Sequence, residues 1–187
     1  AVPASADELF VITALDVQLI TGKERMPGKV ENGLFVPDTT RDLLKIAVVN
    51  RYADAKPAIG WIKNFGLKRG AIAGSVAHDS HNIVAVGTND QDLCAAINLV
   101  IEARGGVSLA DGATTNILPL PVAGIMTDAD AYTVAEAYAK IDAQAKALGS
   151  TLGAPYMTLS FMALLVIPHL KMSDLGLFDG DAFRLIG

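Results

Sequence analysis

The stretch GLKRGAIAGSVAHDSHNI, residues 66–83, holds two of the three histidines in the chain and joins two strand-like runs. An apolar run punctuated by glycines leads into it, and the apolar run that begins at Ile83 leads out. Between the two runs lie five consecutive polar residues, listed in order as His78, Asp79, Ser80, His81 and Asn82. Because binding and catalytic groups often lie on loops that a rigid sheet positions, this loop is the first candidate for a functional site.

The spacing of the two histidines gives weak support for a metal site. In an extended segment, positions three apart point to opposite faces, so both imidazoles reach one ion only if the loop bends. No cysteine or third histidine lies nearby in the sequence to complete a zinc set. His and Asp are also ordinary residues in turns between strands. A functional loop and a purely structural turn therefore both remain open.

Composition limits the class of protein. The 187 residues suit one domain, and a hydrophobic fraction of 51% permits a large core. A net charge of −5 disfavours a nucleic-acid partner, and no run of about 18 apolar residues predicts a membrane span. A single cysteine, Cys94, fits a reducing cytoplasm. It lies in an apolar helical pattern and is expected to be a small residue of the protein core. With only 19% charged residues, part of the surface is expected to be buried against a partner, as in a homo-oligomer.

Hydrophobic periodicity predicts more strands than helices. One or two strands are expected within 9–20, and single strands within 43–50 and 59–65, the latter with Trp61 as its core residue. Hairpin-like segments are expected within 22–37, with turns at Pro27-Gly28 and Asn32-Gly33, and within 107–120. Helices are expected from Asn89 to Gly105 and from a cap at Thr127 to Gly149, whereas 168–171 and 174–176 are expected to be loops. The apolar stripe of the first helix is expected to run from Leu93 to Ile101. This order predicts an α+β or mixed α/β fold with helices packed on a mixed sheet, no complete (β/α)8 barrel, and one βαβ unit around the first helix.

Five segments, in order along the chain, resemble the C-terminal domain of bacterial adenine deaminase, of the amidohydrolase superfamily. They are Arg41–Val49, Gly66–Ala73, Ser75–Ile83, Leu118–Gly124 and Pro155–Phe161. The resemblance covers most of the chain from Arg41 onward and divides it into a β segment over 1–40, at the edge of a truncated larger protein, and the family domain over 41–187. A first residue other than Met agrees with that expectation.

The resemblance implies a hydrolase that converts adenine and water to hypoxanthine and ammonia in cytoplasmic purine catabolism. It also implies manganese or iron in a barrel domain ahead of this one, whose His-x-His metal pair is missing from this sequence. No metal is therefore expected on this chain, and the chain alone is expected to have little or no activity. By the same resemblance, His78, Asp79 and His81 would support catalysis, and Ser80, Asn82 and Arg69 would bind substrate at the mouth of the barrel.

Two alternatives belong to other classes of function. The domain is purely structural or mediates oligomer contacts, in which case the hydrogen-bond partners of the loop would all lie inside the domain. Alternatively, the chain is an independent metal-binding or hydrolytic domain that uses the histidine loop with a remote acid, although the ligand spacing is poor for this.

Overall fold

The computed structural model describes residues 2–4 and 8–186, which form an α+β fold. The helices are α1 (Asp90–Glu102), α2 (Ala131–Ala147) and α3 (Pro155–Phe161). The strands, in chain order, are β1 (Val2–Pro3), β2 (Leu9–Thr13), β3 (Gly22–Met26), β4 (Lys29–Glu31), β5 (Leu34–Val36), β6 (Leu44–Val49), β7 (Ala58–Lys63), β8 (Ala71–Gly74), β9 (Ile83–Gly87), β10 (Gly106–Asp111), β11 (Thr114–Pro119), β12 (Leu170–Ser173), β13 (Gly176–Asp179) and β14 (Arg184–Ile186).

A mixed sheet forms the centre of the fold, as the sequence predicts, and it has eight strands. Its order is β11-β10-β8-β9-β6-β7-β2-β3, and every neighbouring pair is antiparallel except β2 and β7. The sheet does not close, because β11 and β3 are its edges within the described residues. The apolar strand β6 lies near the middle, where Ile46 faces Gly60 on β7 and Val86 on β9. A run that is apolar apart from Lys45 suits this position because the strand is buried along nearly its whole length.

The two faces of the sheet carry different side chains. On one face, small residues such as Ala47, Ala73 and Ala85 pack with Leu93 and Val100 of α1. On the other, the alternating β6 and β9 positions place Ile and Val side chains in one cluster with residues of α2 and α3. The period of two along each strand sets this division. The sheet thus separates α1 from α2 and α3, the helices that adjoin the histidine loop.

The predicted βαβ unit is present with one strand inserted. Strands β9 and β10 each pair antiparallel with β8, so they run parallel to each other with β8 between them. The predicted hairpin of β10 and β11 is confirmed, with Asp111 opposite Thr114. Trp61 is confirmed as a core residue, at 4% exposure with its ring edge against Phe35.

The smaller sheets β1-β5-β4 and β12-β13-β14 flank the main one. The Asn32-Gly33 turn between β4 and β5 is confirmed, with φ of 51° and 76° at its two residues. Pro27-Gly28 is not a hairpin turn, because β3 belongs to the main sheet and β4 to a small one. None of the helices in the described part of the chain is long and apolar enough to cross a membrane.

Several local predictions are wrong. Cys94 is exposed rather than in the core, and Ile101 is 50% exposed, because the buried stripe of α1 is narrower than its apolar pattern. The N-cap of α2 lies three residues later than the predicted cap at Thr127. It is Asp130, whose carboxylate accepts from the backbone N–H groups of Tyr132 and Thr133. Residues 170–173 are a strand rather than a loop. Within 9–20, by contrast, where one or two strands are predicted, one strand forms over Leu9–Thr13.

Candidate functional site

The histidine loop, defined as residues 75–82, joins β8 to β9 and is fastened to α3. The backbone N–H of His78 donates to the carbonyl of Ser160 at 3.1 Å, and that of His81 donates to the carbonyl of Ala77 at 2.7 Å. His81 has a φ of 52°, in the left-handed region that few residues other than glycine adopt. The loop is therefore a tight turn held against a helix.

Ser75 anchors the first end of the loop. Its fully buried hydroxyl accepts from the N–H of Gly106 at 2.8 Å and donates to the carbonyl of Gly124 at 2.5 Å. Its own N–H donates to the carbonyl of Gly106 at 3.0 Å. One side chain thus ties the loop to the start of β10 and to the turn that follows β11.

The two imidazoles lie side by side, partly exposed, against α3. His78 stacks on the Phe161 ring with centroids 5.4 Å apart and planes at 20°, and its centroid lies 5.5 Å from that of His81. The N–H of Ala77 donates to Nδ1 of His81 at 3.3 Å, which places the proton of the neutral ring on Nε2. Within the described residues, Nε2 of His81 and both ring nitrogens of His78 have no hydrogen-bond partner.

Asp79 and Ser80 form the exposed tip of the loop. The carbonyl of Ser80 accepts from the Tyr52 hydroxyl at 2.8 Å. The Asp79 carboxylate forms no hydrogen bond with either imidazole among the described residues, so the structure does not place it as an orienting partner for a histidine.

Asn82 and Arg69 are not brought together with the histidines. Asn82 is 3% exposed, and its side-chain oxygen accepts from the N–H of Arg51 at 3.2 Å. Arg69 lies at the opposite end of β8, where its Nε is 2.8 Å from a carboxylate oxygen of Asp111. Asn82 therefore supports the loop from within the domain, and Arg69 is an exposed ion-paired residue.

Arg51 is the supporting residue that the sequence analysis missed. Its guanidinium donates to the carbonyl of Ala123 and to the Tyr52 hydroxyl, and it lies 4.9 Å from the centroid of the Tyr52 ring. Gly124, with a φ of 79°, leaves the room that this guanidinium occupies. The available signal was an arginine directly after a buried strand, together with a glycine in the Leu118–Gly124 segment.

The loop borders an apolar groove through Val76 rather than through its histidines. The groove, of about 550 Å³, lies between α2, β11 and α3, and Val76 is the loop residue in its wall. Burial raises the pKa of Tyr156 at its floor, where the hydroxyl donates to the Ser108 carbonyl at 2.9 Å.

The described residues do not fit a bound metal. Across 2–4 and 8–186, no group of three or more His, Cys, Asp or Glu side chains is placed to hold an ion. The manganese or iron implied by the resemblance therefore has no ligand set in this part of the chain, and we assign no reaction step to a metal held here.

The fold and the loop together define an α+β domain that displays two partly exposed imidazoles and has no metal-ligand set among the described residues. The model of the adenine deaminase C-terminal domain family matches residues 18–184, and the chain belongs to that family. The resemblance inferred from the sequence is thus confirmed.

Curated relatives agree along nearly the whole chain. A protein named adenine deaminase from Salinibacter ruber is 52% identical over 187 residues, covering 99% of this chain and 34% of the relative. Proteins of the same name from Methanosarcina barkeri and a Sulfurovum species are 48% and 51% identical over 100% and 94% of the chain. The chain spans about a third of the length of these relatives, at 34%, 35% and 32%.

Proposed function

We propose that this chain is the part of an adenine deaminase that covers and completes a purine site whose metal lies in a preceding amidohydrolase domain. The observation that carries the proposal is identity of 52% over 99% of the chain to a protein named adenine deaminase, of which the chain spans 34%. The reaction would break the C6–N bond of adenine, join the oxygen of water to C6, and release ammonia. Manganese or iron as the metal, a cytoplasmic location and a role in purine catabolism belong to the same proposal.

The histidines are the groups of this chain that suit such a pocket. Nε2 of His81 and the ring nitrogens of His78 have no partner in the described residues, and both rings are partly exposed. An imidazole donates or accepts a hydrogen bond at a purine nitrogen and changes protonation near neutral pH. The stacking of His78 on Phe161 limits the orientations of that ring. In this proposal, His78 and His81 contact the purine or relay protons, and Asp79 and Ser80 lie at the same exposed tip.

A structural or oligomerisation role without substrate contact is the second candidate. The internal bonds of Ser75 and Asn82 favour it, because they hold the loop within the domain. The free imidazole nitrogens favour the first candidate. The two candidate functions predict different effects of histidine substitutions on adenine turnover.

The test replaces His78 or His81 by Ala in the longer polypeptide that carries this domain. His169→Ala is the matched control, because His169 is 50% exposed and its Nδ1 lies 2.7 Å from an oxygen of Asp181, outside the loop. We expect each loop variant to lower adenine turnover at least about tenfold, and by about 10²-fold or more if the imidazole transfers a proton. Turnover unchanged in both loop variants would support the structural role instead.

A further inference from the structure

Two grooves adjoin each other along α3. The larger is the apolar groove of about 550 Å³ between α2, β11 and α3, and the smaller, of about 220 Å³, lies between α3 and the segment after β2. Met157, at 51% exposure, lines both grooves and joins them. We refer to the two grooves and the side chains that line them as the α3 face.

The α3 face is nearly free of charge. Asp16 is the one charged residue lining either groove among the described residues, and its carboxylate accepts from the N–H groups of Val17 and Gly153 at 3.1 and 3.0 Å. Val17 and Leu19, two apolar residues that line the smaller groove, are 86% and 42% exposed. The chain carries 35 Lys, Arg, Asp and Glu residues, so an exposed face with one of them is distinctive. Depletion of charge with exposed apolar anchors is typical of a protein interface.

The two buried hydroxyl groups of the larger groove are already paired, which makes it a poor site for a purine. The Tyr156 hydroxyl donates to the Ser108 carbonyl at 2.9 Å, and the Ser160 hydroxyl donates to the Met157 carbonyl at 2.7 Å. A purine bound here would bury several nitrogen atoms with few partners, which is unfavourable. Apolar side chains of a protein suit this lining.

The α3 face is continuous with the histidine loop. Phe161 lines the smaller groove and stacks on His78, whereas Ser160 lines the larger groove and accepts from the His78 N–H. Val76 of the loop also lies in the wall of the larger groove. A partner that fills these grooves would therefore lie directly beside the two imidazoles.

We propose that the α3 face docks onto an apolar surface of the preceding domain of the longer deaminase polypeptide, and that this contact brings His78 and His81 to the purine. The inference rests on the proposed function. The occupant follows from length and position: the relatives are about three times as long as the chain, which covers 34% and 35% of them, and the face adjoins the imidazoles. A covalently attached partner has a high effective concentration, so docking within one polypeptide needs less contact than the binding of a separate protein.

The test compares Met157→Glu with Leu175→Glu in the longer polypeptide. Leu175 is an apolar residue at 76% exposure in the β12–β13 turn and lines neither groove, so it is a matched control. Hydrogen exchange in residues 155–163 and adenine turnover are measured. In the longer polypeptide, we expect residues 155–163 to exchange at least about tenfold more slowly than in the 187-residue chain. Met157→Glu should remove this protection. It should also lower adenine turnover by about tenfold or more, because small misplacements of catalytic groups reduce the rate steeply. Leu175→Glu should match the parent protein.

The outcomes separate the docking from the activity. Protection that Met157→Glu removes, in a polypeptide with no adenine turnover, would support the docking and contradict the proposed function. Normal turnover without protection of 155–163 would overturn the docking alone. A fall from dimer to monomer in Met157→Glu, with exchange set by oligomeric state, would identify a second copy as the occupant and overturn the proposal. If Met157→Glu lowers the Tm of the 187-residue chain, Val17→Glu, at 86% exposure, replaces it in the same comparison.

Discussion

Lys171 is fully buried in β12 and is hydrogen-bonded to the last residue of α3, Phe161, on whose ring His78 stacks. Its Nζ donates to the carbonyls of Leu19 and Phe161, at 2.6 and 3.0 Å. These bonds join the segment after β2 to the end of α3, where Phe161 supports His78. Burial lowers the pKa of the Lys171 ammonium from 10.5 to about 8. We predict that Lys171→Met removes a pH dependence of stability while largely preserving the fold.

The sign and size follow from linkage. Below pH 8 the lysine is charged in both states, and folding carries the full cost of burying the ammonium. Between pH 8 and 10.5 the unfolded chain still binds the proton that the folded chain has released, so stability rises with pH. The separation of these pKa values corresponds to about 3 kcal/mol. At neutral pH the substitution relieves that cost but leaves two carbonyls unpaired, at about 1–3 kcal/mol each, so the two effects largely offset each other.

Urea denaturation of the 187-residue chain at several pH values between 7 and 10.5 measures this effect. The parent chain should gain about 3 kcal/mol of unfolding free energy relative to Lys171→Met across that window. Lys68→Met is the control, because Lys68 is exposed and its Nζ donates to the carbonyl of Thr39. Parallel pH profiles for the parent chain and Lys171→Met would refute the assignment of a costly buried ammonium.

Two further predictions concern the loop and the metal. Ser75→Ala should lower the unfolding free energy by about 1–3 kcal/mol, because the buried N–H of Gly106 and the carbonyl of Gly124 each lose a hydrogen-bond partner. Ser80→Ala, at the exposed tip, is the control and should change the unfolding free energy by less than about 0.5 kcal/mol. Equal losses in the two variants would contradict the anchor role of Ser75. Manganese added to the 187-residue chain should leave its Tm unchanged, because the described residues offer no ligand set; a rise in Tm with metal concentration would show a site that this account lacks.

The central strands were predictable because their patterns are strong. Leu44–Val49 is a buried run that is apolar apart from Lys45, and Asn32-Gly33 meets the positive φ values that its turn requires. The strand at Leu170–Ser173 was not predicted, since it is short and carries Lys171, whose type is seldom fully buried. The burial of Lys171 depends on hydrogen bonds to two carbonyls. One belongs to Leu19, which is far away in the sequence, and the other to Phe161 at the end of α3.

The site was predictable as a loop but not in its internal arrangement. The sequence showed that residues 78–82 are polar and lie between two strands. It gave no means of seeing that Asn82 turns inward to Arg51 or that Arg69 lies at the far end of β8 beside Asp111. Those positions depend on pairing between distant strands. The stacking of His78 on Phe161 was also not predictable from the sequence, because α3 begins more than 70 residues after the loop.

Adenine turnover tests the central claim most directly, measured with manganese in two purified proteins: the 187-residue chain and the longer polypeptide that contains it. The account predicts release of ammonia and hypoxanthine by the longer polypeptide and no turnover by the chain alone. Equal turnover by the chain alone, or none by the longer polypeptide when its metal is bound, would contradict it.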